Sequence, residues 1–180
     1  MHLEAHEVLP QLLDQLGISK PVLVGHSDGA TIALLHACRH PVAACVAMAP
    51  HVFVEEMALS AIGQARALYE TAPDATDGLR QRLARHHRDV DNAFWQWNDV
   101  WLSEAFRSFD IRQELRAITA PLLLVQGAQD EYGSMAQLEA IHREVPHAIR
   151  LELAPCGHSP HRDQPDSLLA EVRRFLARID

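Results

Sequence analysis

The 180-residue chain has little cysteine, few aromatic rings, no excess of basic charge and no long apolar run. Its three cysteines, Cys38, Cys45 and Cys156, are an odd number without metal-type spacing. That excludes a disulfide framework and reads as reduced intracellular thiols. A formal net charge of −8 argues against nucleic acid or an anionic membrane as the main partner. No run is long enough to span a bilayer, and Met1-His2-Leu3-Glu4 does not begin a signal peptide, so the expected location is cytoplasmic. Repeats and low-complexity tracts are absent, and the twelve histidines are scattered without forming a tract. The length suits one domain with a real core and is short for two.

What is present is organised around Gly25-His26-Ser27-Asp28-Gly29. Pro21-Val22-Leu23-Val24 before it is a short apolar run that predicts a strand, and residues 30–37 after it have helix composition with no breaker. Strand, G-x-S-x-G, helix is the context of a nucleophile elbow, in which a sharp turn strains the serine backbone and pushes its hydroxyl out at the sheet's edge. Gly25 and Gly29 are expected at the turn because side chains there would collide with neighbouring backbone. The following helix would bring N–H groups and partial positive charge to a developing oxyanion, with the backbone N–H of Asp28 as one donor. A plain glycine-bounded turn carrying an ordinary serine is the alternative.

Ahead of the elbow, Leu9, Leu12, Leu13 and Leu16 form one apolar stripe of a helix over residues 3–16. Pro10 either opens its regular part or kinks it, and Gly17 ends it. After the elbow helix, His40-Pro41 is a break and 42–48 is a second buried strand, giving an α-β-α-β rhythm that implies parallel strands and right-handed crossovers. From about 55 to 118 no strand is predicted, only helical periodicity interrupted by Pro73 and Gly78. Arg80, Arg82, Arg85, His86, His87 and Arg88 there read as a solvated face. Phe94, Trp97 and Trp101 fall on one helical face, for which core packing and ligand contact both stand as readings. The α/β rhythm returns with a strand at 121–126 ending in Gly127, a helix at 134–144, and the alternating strand Ile149-Arg150-Leu151-Glu152-Leu153. A last helix is predicted from Asp163 and Pro165, with Leu168, Val172, Phe175 and Leu176 on one side. Residues 1–54 and 119–180 are thus expected to be two parts of one α/β core, separated by a helical insertion at 55–118.

Ser27, Asp130 and His158 each lie in a loop just after a predicted strand, and in a parallel sheet such loops open on the same edge. The chemistry assigns Ser27 as nucleophile, His158 as the base that takes its proton, and Asp130 as the group that fixes the imidazole tautomer. Singly, Asp130 is also readable as a turn residue and His158 as a surface histidine. A metal reading of His158, His161 and Asp163 has possible spacing but explains the loop less well.

These motifs, G-H-S-D-G at 25–29, G-A-Q-D at 127–130 and G-H-S-P-H-R-D-Q-P at 157–165, resemble those of the α/β-hydrolase superfamily, and the resemblance runs from residue 3 to the C-terminus. It selects His158 over His161 and makes the insertion similar to the family's cap over the serine. It implies a partial α/β-hydrolase fold, a parallel sheet with flanking helices and a cap. It implies hydrolysis of an ester, thioester, lactone or related acyl bond of a small molecule, with no cofactor and no metal. Serine at 27 speaks against the dehalogenase branch, which uses aspartate there. Acyl transfer and cofactor-free haloperoxidation use the same triad. His26, Trp97 and Trp101 are the candidates for substrate contact.

Family members also carry strands ahead of the point where this sequence starts, including the loop that supplies a second oxyanion donor. The sequence therefore reads as the C-terminal portion of a hydrolase, impaired by about 100- to 1,000-fold if one donor is lost. It also predicts an apolar strand edge at Val22-Leu23-Val24 that invites a homo-oligomer. A folded or dimeric remnant with an idle triad is the competing reading.

Overall fold

The computed structural model describes residues 1–71 and 78–179, so Pro73 lies outside the described residues. The chain divides into two units, one of Met1–Phe53 with Asp110–Asp180 and one of Val54–Phe109. The first is an α/β unit. Four strands, β1 (Val22–His26), β2 (Ala44–Met48), β3 (Leu122–Gly127) and β4 (Ile149–Leu153), form one parallel sheet in the order β1-β2-β3-β4. The register pairs Val24 with Val46, Val46 with Leu123, and Val125 with Leu151.

Burial follows position in the sheet. Every residue of β2 and β3 is buried, as their continuous apolar runs require between two strand neighbours and two faces. In β4, Arg150 and Glu152 are exposed and the leucines and isoleucine turn inward, the half-solvated face predicted by its alternation. β1 is the other edge strand, with Val22 and Val24 exposed at 43% and 59%. On one face Ala44, Val46, Met48, Leu123 and Val125 pack with Leu168 and Phe175 of the last helix, α8 (Pro165–Leu176). The intervening residues Cys45, Ala47, Leu122 and Leu124 point to the opposite face and are equally buried.

The helices place the loops. The chain opens with a wide π-helical turn, Glu4–Val8, running into α1 (Leu9–Gln15), and Pro10 sits in the first turn of α1. Gly17, at φ +68°, ends the stretch. The leucine stripe of α1 is only partly covered by the described residues: Leu9 and Leu13 are half-buried, while Leu12 and Leu16 are exposed. α2 (Asp28–Ala37) packs against β1 and β2, with Ala30, Leu34 and Leu35 fully buried.

The second unit contains α3 (Glu56–Thr71), α4 (Leu79–Ala84) and α5 (Val90–Leu102), followed by a 3-10 turn, Glu104–Ser108. Tyr69, Val90 and Phe94 form one buried cluster in it, and the Tyr69 and Phe94 rings stack with centroids 3.8 Å apart. Residues 110–118, read with the insertion from sequence, belong to the sheet unit, where Ile111, Leu115 and Ile118 are buried. In that unit α6 (Ala136–Glu144) follows β3, and a short helix α7 (Pro160–Asp163) precedes α8. Among the described residues no helix is long and apolar enough to cross a membrane.

Candidate active site

The strand-to-helix turn after β1 is as tight as its sequence requires. Ser27 has φ +56° and ψ −125°, a region that L-residues avoid, and it stands at the N-cap of α2. Its own N–H donates to the Met48 carbonyl at 2.9 Å, and its carbonyl accepts from Ala30 and Thr31 in the first turn of the helix. A Cβ on Gly25 would lie 2.3 Å from the Gly29 carbonyl oxygen and 2.6 Å from the Ala30 nitrogen, so only glycine allows strand and helix to come this close. Gly29 corrects the sequence reading. A Cβ there meets nothing within 4 Å, so crowding does not explain it.

The acid and histidine loops are held against each other in the same way. A Cβ on Gly127, at the end of β3, would sit 2.1 Å from the Gly157 carbonyl oxygen and 2.4 Å from that of Cys156. The Gln129 N–H donates to the Cys156 carbonyl at 2.8 Å, and the Gln129 side-chain oxygen accepts from the Cys156 N–H at 2.7 Å. These contacts bring the loop after β3 alongside the loop after β4.

The result is a continuous hydrogen-bond chain. Ser27 Oγ lies 2.9 Å from His158 Nε2, and His158 Nδ1 lies 2.9 Å from both carboxylate oxygens of Asp130. The Asp130 carboxylate is fully buried and accepts two more bonds, from the Tyr132 N–H at 2.8 Å and the Gln126 side-chain amide at 2.6 Å. Burial pushes its pKa up, but the hydrogen bond and charge of His158 and the Tyr132 N–H outweigh burial and hold the carboxyl below its ordinary value. An anionic Asp130 requires Nδ1 of His158 to carry the proton, which leaves Nε2 as the acceptor facing the serine hydroxyl. Neighbouring Glu131 is exposed.

His26 is half-buried between the His158 and His161 rings, each 4.9 Å from it between centroids. Its Nε2–H donates to the His158 carbonyl at 2.6 Å, and burial lowers its pKa, so it stands neutral and ties β1 to the histidine loop. Gln126 was missed from sequence. Its amide bridges Asp130 and the Gly133 carbonyl, and only its place one residue before the strand end and the acid turn could have signalled it. For the metal reading of the histidine loop, both ring nitrogens of His158 are already engaged, and among the described residues the ligand atoms of His158, His161 and Asp163 do not come together as a possible metal group. In the helical unit Trp101 is 2% exposed against Phe106, whereas Trp97 is half-buried beside Phe94.

A serine, an imidazole and a buried carboxylate linked in this order can activate the hydroxyl as a nucleophile toward an acyl carbon. Residues 2–172 match the model of the "Alpha/beta hydrolase family". The chain is 29% identical over 103 residues to esterase Rv0045c of Mycobacterium tuberculosis, covering 54% of this chain and 33% of that protein. It is 28% identical over 193 residues to the sn-1-specific diacylglycerol lipase ABHD11 of Mus musculus, covering 94% of this chain and 63% of that one. The chain thus spans less than two thirds of the length of both relatives. Among solved structures, a Nitrososphaera gargenis protein described with carboxylesterases superposes with a TM-score of 0.75 at 20% identity, over 99% of this chain and 72% of that one. This last likeness is one of fold.

Proposed function

The chain belongs to the alpha/beta hydrolase family, and on that premise we propose that it is a serine hydrolase cleaving an ester or related acyl bond of a small molecule. The observation that carries the proposal is the 2.9 Å approach of His158 Nε2 to Ser27 Oγ while Nδ1 of the same ring is held on a buried carboxylate. In this reading Ser27 Oγ attacks the acyl carbon as His158 Nε2 takes its proton. The tetrahedral oxyanion forms beside the first turn of α2, where the Asp28 N–H is the proposed donor. Collapse expels the alcohol, which takes the proton from His158 and leaves an acyl group on Ser27. Water then attacks that ester with His158 again as base, and the acid leaves as His158 returns the proton to Ser27 Oγ. Asp130 stays ionised throughout and stabilises the imidazolium. Esterase and lipase relatives support an ester as the bond cleaved.

Helices α3 to α5 are the proposed cap. Trp97, which keeps exposed ring surface, is the proposed substrate contact from it, and buried Trp101 supports its helix. His26 acts by holding the histidine loop. Hydrolysis of p-nitrophenyl acetate and butyrate tests the proposal. Ser27→Ala should lower turnover by about 10⁴-fold or more. Equal turnover by both proteins would refute it. The exposed edge of β1 favours one second reading, a folded α/β unit whose triad is idle, and the same assay with no turnover above background would support that instead.

A further inference from the structure

A second group of ionisable side chains lies outside the triad's hydrogen-bond network. His2 and His6 are four residues apart on the opening helical stretch, with ring centroids 5.7 Å apart, so both project to the same side. Glu114 joins them at the start of a 3-10 turn, Glu114–Ala117, in the approach to β3. His2 Nε2 is 2.9 Å from Glu114 Oε1. One ligand atom from each of His2, His6 and Glu114 can be chosen so that all lie within 4.8 Å of one another. The other carboxylate oxygen of Glu114 is 3.8 Å from the Arg39 guanidinium, which leaves Oε1 turned toward the histidines.

His6 is the informative member. Both of its ring nitrogens are buried, and neither has a hydrogen-bond partner. A buried lone pair without a partner is unfavourable, and native structures rarely leave one without compensation. A divalent cation on one nitrogen would supply what the protein does not. Two imidazoles and one carboxylate are a donor set suited to zinc. Tetrahedral zinc with ligands at about 2.1 Å spaces its donor atoms about 3.4 Å apart, so the present spread closes by about 1.4 Å at most. His2 and Glu114 have the freedom to make that adjustment, their side chains being 46% and 33% exposed.

We propose that His2, His6 and Glu114 form a zinc-type cation site, with water in the fourth position, that clips the first helical stretch to the turn before β3. The stretch is also held by Ala5, which is fully buried and whose carbonyl accepts from His36 Nδ1–H at 3.0 Å. The site is structural and takes no part in acyl chemistry.

The test uses the full chain without a histidine tag, freed of metal, and reads thermal melting and calorimetric binding with zinc alone. One zinc per chain should bind, and at a hundredfold excess over Kd the melting temperature should rise by about 5–10 °C. His6→Ala and, on the surface, Glu114→Gln should each weaken binding by about 100-fold or more. Cobalt in place of zinc should give the intense visible bands of tetrahedral coordination, lost in Glu114→Gln. No zinc-dependent shift would overturn the proposal. So would an undiminished shift in Glu114→Gln, because the zinc would then sit on other histidines or thiols. Weak octahedral cobalt bands would overturn it as well. None of these readings depends on ester turnover.

Discussion

Replacing Gly127 with alanine should damage the active site more than the fold. The added methyl would meet the Gly157 carbonyl oxygen at 2.1 Å and the Cys156 carbonyl oxygen at 2.4 Å, and both neighbours are backbone. An ordinary C···O approach is about 3.3 Å, so strand end and histidine loop must separate by about 1 Å. Overpacking on this scale costs about 1–3 kcal/mol, which at this chain length lowers the melting temperature by about 3–10 °C. The separation falls between the loops that carry Asp130 and His158, now 2.9 Å apart. A 1 Å misplacement of reacting groups costs about 100-fold in rate. Turnover of p-nitrophenyl acetate and the fluorophosphonate labelling rate should both fall by that factor, measured well below the new melting temperature. Gly29→Ala is the control: with nothing within 4 Å of its Cβ, it should melt at or above the parent. Gly127→Ala with parental melting and parental turnover would refute the reasoning.

Asp130→Asn should reduce turnover by about 10⁴-fold with little change in fold, because an amide cannot hold the same tautomer or support the imidazolium; retained activity in this variant would remove Asp130 from the mechanism. Burial lowers the pKa of His26 and of His36, so in each case the unfolded form takes up a proton at the higher pH. Their contribution to stability is complete above about pH 6.5 and is lost as pH falls below it, so melting temperature should drop between pH 7.5 and 5.5; a flat or rising profile would contradict this. With Val22 and Val24 exposed on the edge of β1, the 180-residue chain should self-associate through that edge. Sedimentation at micromolar concentration should show a dimer or larger species that Val24→Lys converts to monomer, and a monomeric parent would exclude the pairing.

The parts of the site that were legible in the sequence are those fixed by local chemistry. The β1–elbow–α2 turn could be read because its constraint lies within five residues, and the structure places positive φ at the serine in it. Asp130 and His158 were legible as loop residues after strands, since parallel order alone sends both to one sheet edge. Gly127 was not, because its reason is the backbone of Cys156 and Gly157, about thirty residues further on, and Gly29 was given a reason that holds for Gly25 instead. Periodicity identified the leucine stripe of α1 but could not say what covers it. The aromatic face of α5 was seen as one surface, yet Phe94 turns to Tyr69 and Trp101 to Phe106, contacts that depend on neighbouring segments. His2 and His6 passed as scattered histidines because their third partner, Glu114, is more than a hundred residues away.

The central claim is that Ser27 is an activated nucleophile. Incubation with a fluorophosphonate, followed by intact-mass and peptide mapping, tests it without requiring knowledge of the natural substrate. The prediction is one adduct per chain, on Ser27, absent in Ser27→Ala and formed far more slowly in His158→Ala. Labelling that persists in Ser27→Ala, or a parent protein that does not label at all, would contradict it.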